Sequence, residues 1–217
     1  MILGCTLAAA LALTACSRSD SGSSGSMSTS MGGSSSQTGQ AGQNAAYRTG
    51  LGILTEASDQ ERAGKIDTIA AAVLLDAEGR VADVMLDEVE ISVTGDSTGK
   101  VTTPTDTRTK RQKGKDYPLA EVSGLKKGWA EQADAFGDWL EGKTPDEVKK
   151  LKTDADGKPT DADLLSGCTI AVDRYRDAVV RACENAQVLG AARGDTVKLG
   201  VEVAEMPQGL TGTDDKD

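Results

Sequence analysis

Two runs rich in apolar and β-branched residues, 66–76 and 81–93, are separated by Ala77-Glu78-Gly79-Arg80. Turn chemistry between such runs predicts a hairpin. Upstream, Tyr47-Arg48-Thr49-Gly50-Leu51-Gly52-Ile53-Leu54 predicts a strand carrying glycines, followed by a polar stretch. Residues 96–104 read as a loop. The period then becomes helical: Leu125, Trp129, Ala133, Phe136 and Leu140 fall on one face, with Glu131, Asp134 and Asp138 on the other. Gly142 stops that helix. Thr144-Pro145-Asp146-Glu147 starts another, with an N-cap, a proline at the first helical position and a carboxylate that reaches back. Asp173 caps a further helix running to about Leu189, with Tyr175, Ala178, Val179, Ala182 and Ala186 inward. Val197, Leu199, Val201 and Val203 alternate within 196–204 and predict a closing strand. The expected fold is α+β, one domain over residues 47–205 in which antiparallel strands pack against helices, followed by a disordered acidic tail, 206–217.

The N-terminal 46 residues follow a different grammar. Residues 1–15 carry no charge, and the apolar run 7–13 is far shorter than the ~20 residues of a membrane-spanning helix. It reads as a signal peptide. Leu13-Thr14-Ala15-Cys16 resembles the lipobox of bacterial lipoproteins, which implies lipidation of Cys16 and anchoring to the extracytoplasmic face of the cell membrane. Residues 16–46 hold Arg18 and Asp20 as their only charges among Ser, Gly, Gln, Thr and Met, the composition of a flexible linker. Such a chain spans on the order of 30 Å.

Composition narrows the chemistry. The 217 residues include no histidine, which removes His-based triads, His-ligated zinc or copper and His-ligated haem. Acids outnumber bases 34 to 24, for a net charge of −10, which argues against nucleic acid. Arg108, Lys110, Arg111, Lys113 and Lys115 nevertheless crowd together, either as a solvated loop or as a contact for phosphate or another anion. Asp154-Ala155-Asp156-Gly157 reads as a turn; it lacks the bidentate Glu and oxygen spacing of a calcium loop, and no metal site is expected. Cys168 and Cys183 form either a disulfide or two buried thiols.

The segment Asp163-Leu164-Leu165-Ser166-Gly167-Cys168-Thr169 resembles the attachment motif of FMN-binding domains. These include flavinylated subunits of sodium-pumping quinone reductases and Rnf complexes, in which a transferase moves FMN from FAD onto the last Thr. Further matches lie at Tyr47-x-Thr-Gly50, Asp67-Thr68, Asp76-x-x-Gly79, Thr109-Lys110, Gly128-Trp129-x-Glu131-Gln132-Ala133-x-x-Phe136 and Gly142-Lys143-Thr144-x-x-Glu147-Val148. Together they are similar to the FMN-binding lipoproteins of extracellular electron transfer. Cys168 stands where Ala is usual, and 111–119 matches the relatives only loosely.

The resemblance implies covalent FMN on Thr169 through a phosphoester, with Asp163, Ser166, Gly167 and Cys168 forming the rest of the cofactor-binding segment. Gly167 would leave the approach to the hydroxyl clear; Asp163 would orient the motif or assist the transferase's metal. It further implies an electron carrier rather than an enzyme. The carrier would be a substrate of an FAD:protein FMN transferase, and would pass electrons from a membrane flavin or quinone oxidoreductase to extracellular acceptors. The alternative is a lipoprotein that binds a ligand or partner without being flavinylated. Trp129 and Phe136 are expected in the core, whereas Trp139 is placed either at the core edge or against the flavin ring.

Overall fold

The computed structural model describes residues 46–60, 63–95, 101–102 and 106–204. The signal peptide, Cys16, most of the linker and the acidic tail lie outside the described residues. Three long strands, β1 (Arg48–Gln60), β2 (Ala63–Leu75) and β3 (Val81–Gly95), form an antiparallel meander extended by the two-residue β4 (Val101–Thr102). Among the described residues six α-helices follow: α1 (Lys110–Lys113), α2 (Leu119–Val122), α3 (Trp129–Leu140), α4 (Pro145–Lys149), α5 (Ala162–Leu165) and α6 (Asp173–Glu184). The architecture is α+β. Among the described residues no helix is long and apolar enough to cross a membrane.

The hairpin of β2 and β3 turns at Asp76, whose side chain accepts from the backbone N–H groups of Glu78 and Arg80 at 3.0 and 2.7 Å. β1 and β2 extend beyond the expected strands, because Thr55–Gln60 pairs with Ala63–Thr68, where Thr55–Ser58 are exposed and Ala63–Asp67 only half-buried. A ladder whose faces both meet water leaves no apolar alternation to read.

Helices α3 and α6 cover one face of the sheet. Ile69, Ala71, Val73, Leu75 and Leu86 meet Trp129, Phe136, Leu140, Ala178, Val179 and Ala182 there, all buried. Trp129 and Phe136 are core residues as expected, but α3 starts at Trp129, so Leu125 lies ahead of the helix. The side chain of Thr144 caps α4 and Glu147 returns the bond, as the sequence predicts. Helix α6 is shorter than expected. It stops at Glu184 because Asn185 donates to the Leu51 carbonyl and Gln187 exchanges backbone bonds with Thr49, drawing the chain onto the edge of β1.

Residues 196–204 do not close the sheet as a strand. They run extended with N–H groups bonded to side chains: Val197 N–H to Asp83 Oδ2 at 2.7 Å and Leu199 N–H to Met85 Sδ at 3.3 Å. Their alternation is still used, since Leu199, Val201 and Val203 pack on Ala70, Val89 and Ile91. The pattern recorded a buried face and not a ladder partner.

Candidate functional site

Thr169 lies in the connection between α5 and α6 and lines a cavity of about 820 Å³. Lys110, Tyr117, Ser123, Trp129, Leu165 and Tyr175 are among its other walls. The cationic segment is therefore not a solvated loop throughout. Thr109 caps α1 and Lys110 turns inward, 7% exposed, while Arg108 pairs outward with Asp106 and Asp116 at 3.0 and 2.9 Å. Arg111 reaches Asp134 at 2.7 Å and lies 5.8 Å from the Trp129 ring centre.

The inward cation is held by a carboxylate on β3. Lys110 Nζ sits 2.8 Å from Glu88 Oε2 and 3.4 Å from Glu90 Oε2, and 5.1 Å from the centre of the Tyr117 ring. Glu88 also accepts from the Tyr175 hydroxyl, which in turn accepts from Trp129 Nε1 at 3.1 Å. The Trp129 and Tyr175 rings meet edge to face at 5.8 Å. Burial works against the charge on Lys110, but Glu88 overrides it and holds the ammonium above its usual pKa. Burial, then the Glu88 charge, pushes the Tyr175 phenol well up, so it stays protonated and donates. Burial also opposes ionisation of Glu90, but the charges of Lys110 and Lys65 hold its carboxyl below the usual range.

Asp67, Glu88 and Glu90 bring carboxylate oxygens within 4.8 Å of one another, close enough for a metal ion. Positive charge is already supplied there by Lys65, Lys110 and Arg174: Lys65 bridges Asp67 and Glu90 at 3.2 and 3.3 Å, and Arg174 approaches Asp67 at 3.5 Å. The cluster is an alternating ion-pair network. Glu88 is a residue that sequence reasoning passed over, although Asp87-Glu88 inside a strand with apolar neighbours on both faces was a visible sign of buried, partnered charge.

Of the other motif residues only Leu165 joins Thr169 at the cavity. Asp163 and Ser166 are exposed, and the Ser166 hydroxyl donates to the Asp163 carbonyl at 2.7 Å. The local cap is Asp161, whose carboxylate accepts from the N–H groups of Asp163 and Leu164 at 3.1 and 3.0 Å. At Gly167 a Cβ would come within 2.9 Å of Ala135 Cβ, so the missing side chain lets this connection lie against α3. Cys168 is fully buried, and Cys168 and Cys183 are free thiols, each pushed up to about 11 by burial. Asp154 uses its carboxylate to close its own turn, accepting from Asp156 and Lys158 N–H at 2.9 Å each. Trp139 is not part of the cavity; it packs at the core edge with Lys143 Nζ 3.9 Å from its ring centre. The indole that fronts the cavity is Trp129.

Gln132 connects this wall to Thr169. It is fully buried, its Oε1 accepts from the Thr169 N–H at 2.9 Å and from the Thr169 hydroxyl at 3.1 Å, and its Nε2 donates to Ser123 Oγ and the Lys127 carbonyl, both at 3.0 Å. The arrangement offers a fixed hydroxyl at the edge of a cavity with aromatic walls and one buried ammonium. No family model, curated protein or solved structure matches the chain.

Proposed function

We propose that this chain is a lipid-anchored, extracytoplasmic electron-transfer protein carrying FMN as a phosphoester on Thr169. In this reading Cys16 holds it to the membrane, an FAD:protein FMN transferase loads it, and a membrane oxidoreductase supplies electrons that it relays to extracellular acceptors. The observation that carries the reading is the position of Thr169 on a cavity of about 820 Å³, walled by Trp129, Tyr117 and Tyr175. Ligand cavities commonly measure about 300–1,000 Å³, with apolar and aromatic walls and a few polar groups.

The residues present fit a flavin. Planar aromatic walls suit a planar ring system, and Lys110 brings positive charge to the wall without itself lying in solvent. Bound there, the flavin supplies one- and two-electron chemistry that no side chain of this His-free protein offers. Thr169 supplies the oxygen of the covalent link. Trp129 and Tyr175 keep water from the inner wall, and their mutual hydrogen bond fixes their orientation. Glu88 keeps Lys110 in place, so the charge at the wall persists across the physiological pH range.

Incubating the full chain with an active transferase, FAD and Mg²⁺ should add one FMN to the intact mass, with yellow colour that survives denaturation. Thr169→Ala should abolish the addition and leave the fold unchanged. Flavin found on Ser166 overturns the assignment to Thr169, and flavin on no residue despite an active transferase overturns the covalent reading; colour lost on denaturation leaves a non-covalent ligand-binding lipoprotein. Cys16→Ser should release the protein from membranes, and unchanged fractionation would refute the anchor.

A further inference from the structure

The orientation of the buried Gln132 amide is fixed by two backbone groups. The Thr169 N–H can only donate, so the atom it meets is the oxygen; the Lys127 carbonyl can only accept, so the atom it meets is the nitrogen. Both neighbouring hydroxyls then have assigned senses. Thr169 must donate its proton to Gln132 Oε1, which leaves the lone pairs of Oγ1 for an incoming electrophile. Ser123 must accept from Gln132 Nε2, and its oxygen accepts a second time from the Leu125 N–H at 3.2 Å. With both lone pairs engaged, the Ser123 proton is its remaining valence. Ser123, like Thr169, lines the cavity.

Resting on the reading of Thr169 as the flavinylated residue, we infer that Gln132 is a positioning residue that sets two cavity hydroxyls in opposite senses. Thr169 becomes the nucleophile, and Ser123 becomes the donor to the phosphate being transferred. The step balances as a transfer from a phosphoanhydride to a hydroxyl, giving a phosphoester. Thr169 Oγ1 bonds to the phosphorus on the FMN side of FAD, the bond from that phosphorus to the bridging oxygen breaks, AMP leaves, and the hydroxyl proton passes to solvent. Gln132 does not take that proton, since an amide oxygen is far too weak a base. Its hydrogen bond holds the hydroxyl until attack, and Ser123 stabilises the negative oxygen as charge develops.

Single-turnover flavinylation of the full chain at varied FAD, together with ³¹P NMR of the loaded protein, tests this. A hydrogen bond to a charged oxygen corresponds to roughly tenfold in rate or more, so Ser123→Ala should slow the saturating rate about tenfold with little change in the FAD concentration for half-saturation. The same variant should shift the phosphoester ³¹P resonance, and Ser123→Thr should restore both values. Gln132→Glu keeps an oxygen toward Thr169 but withdraws the obligatory donor from Ser123, whose proton then turns to the carboxylate. Its phosphoester ³¹P resonance should therefore match that of Ser123→Ala, and adding Ser123→Ala to it should shift that resonance no further. Rates and resonances equal to wild type in Ser123→Ala overturn the inference even if Gln132→Glu does not fold. Wild-type chain that takes no flavin overturns the covalent reading beneath it, so the two failures are told apart.

Discussion

The two ends of α6 meet the sheet in different ways. At its C-terminal half, Ala178 and Ala182 lie directly on β1, where a Cβ on Gly52 would come within 2.1 Å of the Ala178 carbonyl and one on Gly50 within 1.9 Å of the Ala182 carbonyl. At its N-terminal half, Tyr175 meets Glu88 and Trp129 through hydrogen bonds, Glu88 pairs with Lys110, and a cavity opens beside them. One end is sealed by the absence of side chains. The other is held apart by large polar ones, each with a partner, and that is how a small domain keeps space for a ligand without collapsing onto it.

The largest expected effect is on the open end. Lys110→Met removes the cation from a buried pair and leaves the Glu88 charge with the Tyr175 hydroxyl alone, which should cost about 3–5 kcal/mol of unfolding free energy. Adding Glu88→Leu should recover part of that loss, because the remaining buried charge is then gone. A near-neutral Lys110→Met in denaturant titration would mean that this wall is not held by charge, and the contrast between the two ends would fail.

A matched pair of glycines sharpens the contrast further. Gly52→Ala drives a methyl into the Ala178 carbonyl at 2.1 Å and the Ala182 nitrogen at 2.6 Å, and should cost about 2–3 kcal/mol. Gly124 borders the cavity, and a Cβ there meets nothing within 4 Å. Gly124→Ala should therefore stay within about 0.5 kcal/mol of wild type. Equal melting temperatures for the two variants would show that the seam relaxes and is not sealed.

The sealed end was far more legible in the sequence than the open one. Gly50 and Gly52 in a strand, and alanines at helical spacing in 173–186, announce small surfaces that pack closely. The hairpin, α3 and the Thr144 cap were readable for the same reason: each is a local pattern that its own neighbours decide. Tyr175 was legible only as an inward position. Its bonds to Glu88 and Trp129 join β3, α3 and α6, and no spacing along the chain records such a meeting. Gln132 was likewise visible as a polar residue beside the apolar stripe of α3, but its four contacts come from Thr169, Ser123 and Lys127. In the segment 163–169 the sequence pointed to five residues together, whereas a connection packed against α3 turns Thr169 alone of them to the cavity.

The smallest effect uses one thiol at each end. Cys168 adjoins Thr169 at the open end, and Cys183 lies on α6 near the sealed seam. Burial raises both to about 11 from an ordinary 9.0, so at pH 8 each is ionised about a hundredfold less than a free thiol and should be alkylated correspondingly slowly. The sign of the linked stability follows. The folded chain keeps these protons while the unfolded chain releases them, so their contribution is complete below pH 9 and is lost as pH rises from 9 to 11. The raised pKa of Lys110 acts in the same direction at higher pH, because the folded ammonium is the favoured form and is lost as it titrates. Burial raises both thiols in the same direction, and a thiol exposed by opening regains its ordinary acidity, so their native-state labelling ratio reports how readily each end opens. Opening the polar wall exposes Cys168 without parting the glycine–alanine seam, so Cys168 should label faster than Cys183. Equal rates, falling together as the protein is stabilised, would mean that the two ends open only in global unfolding and act as one unit.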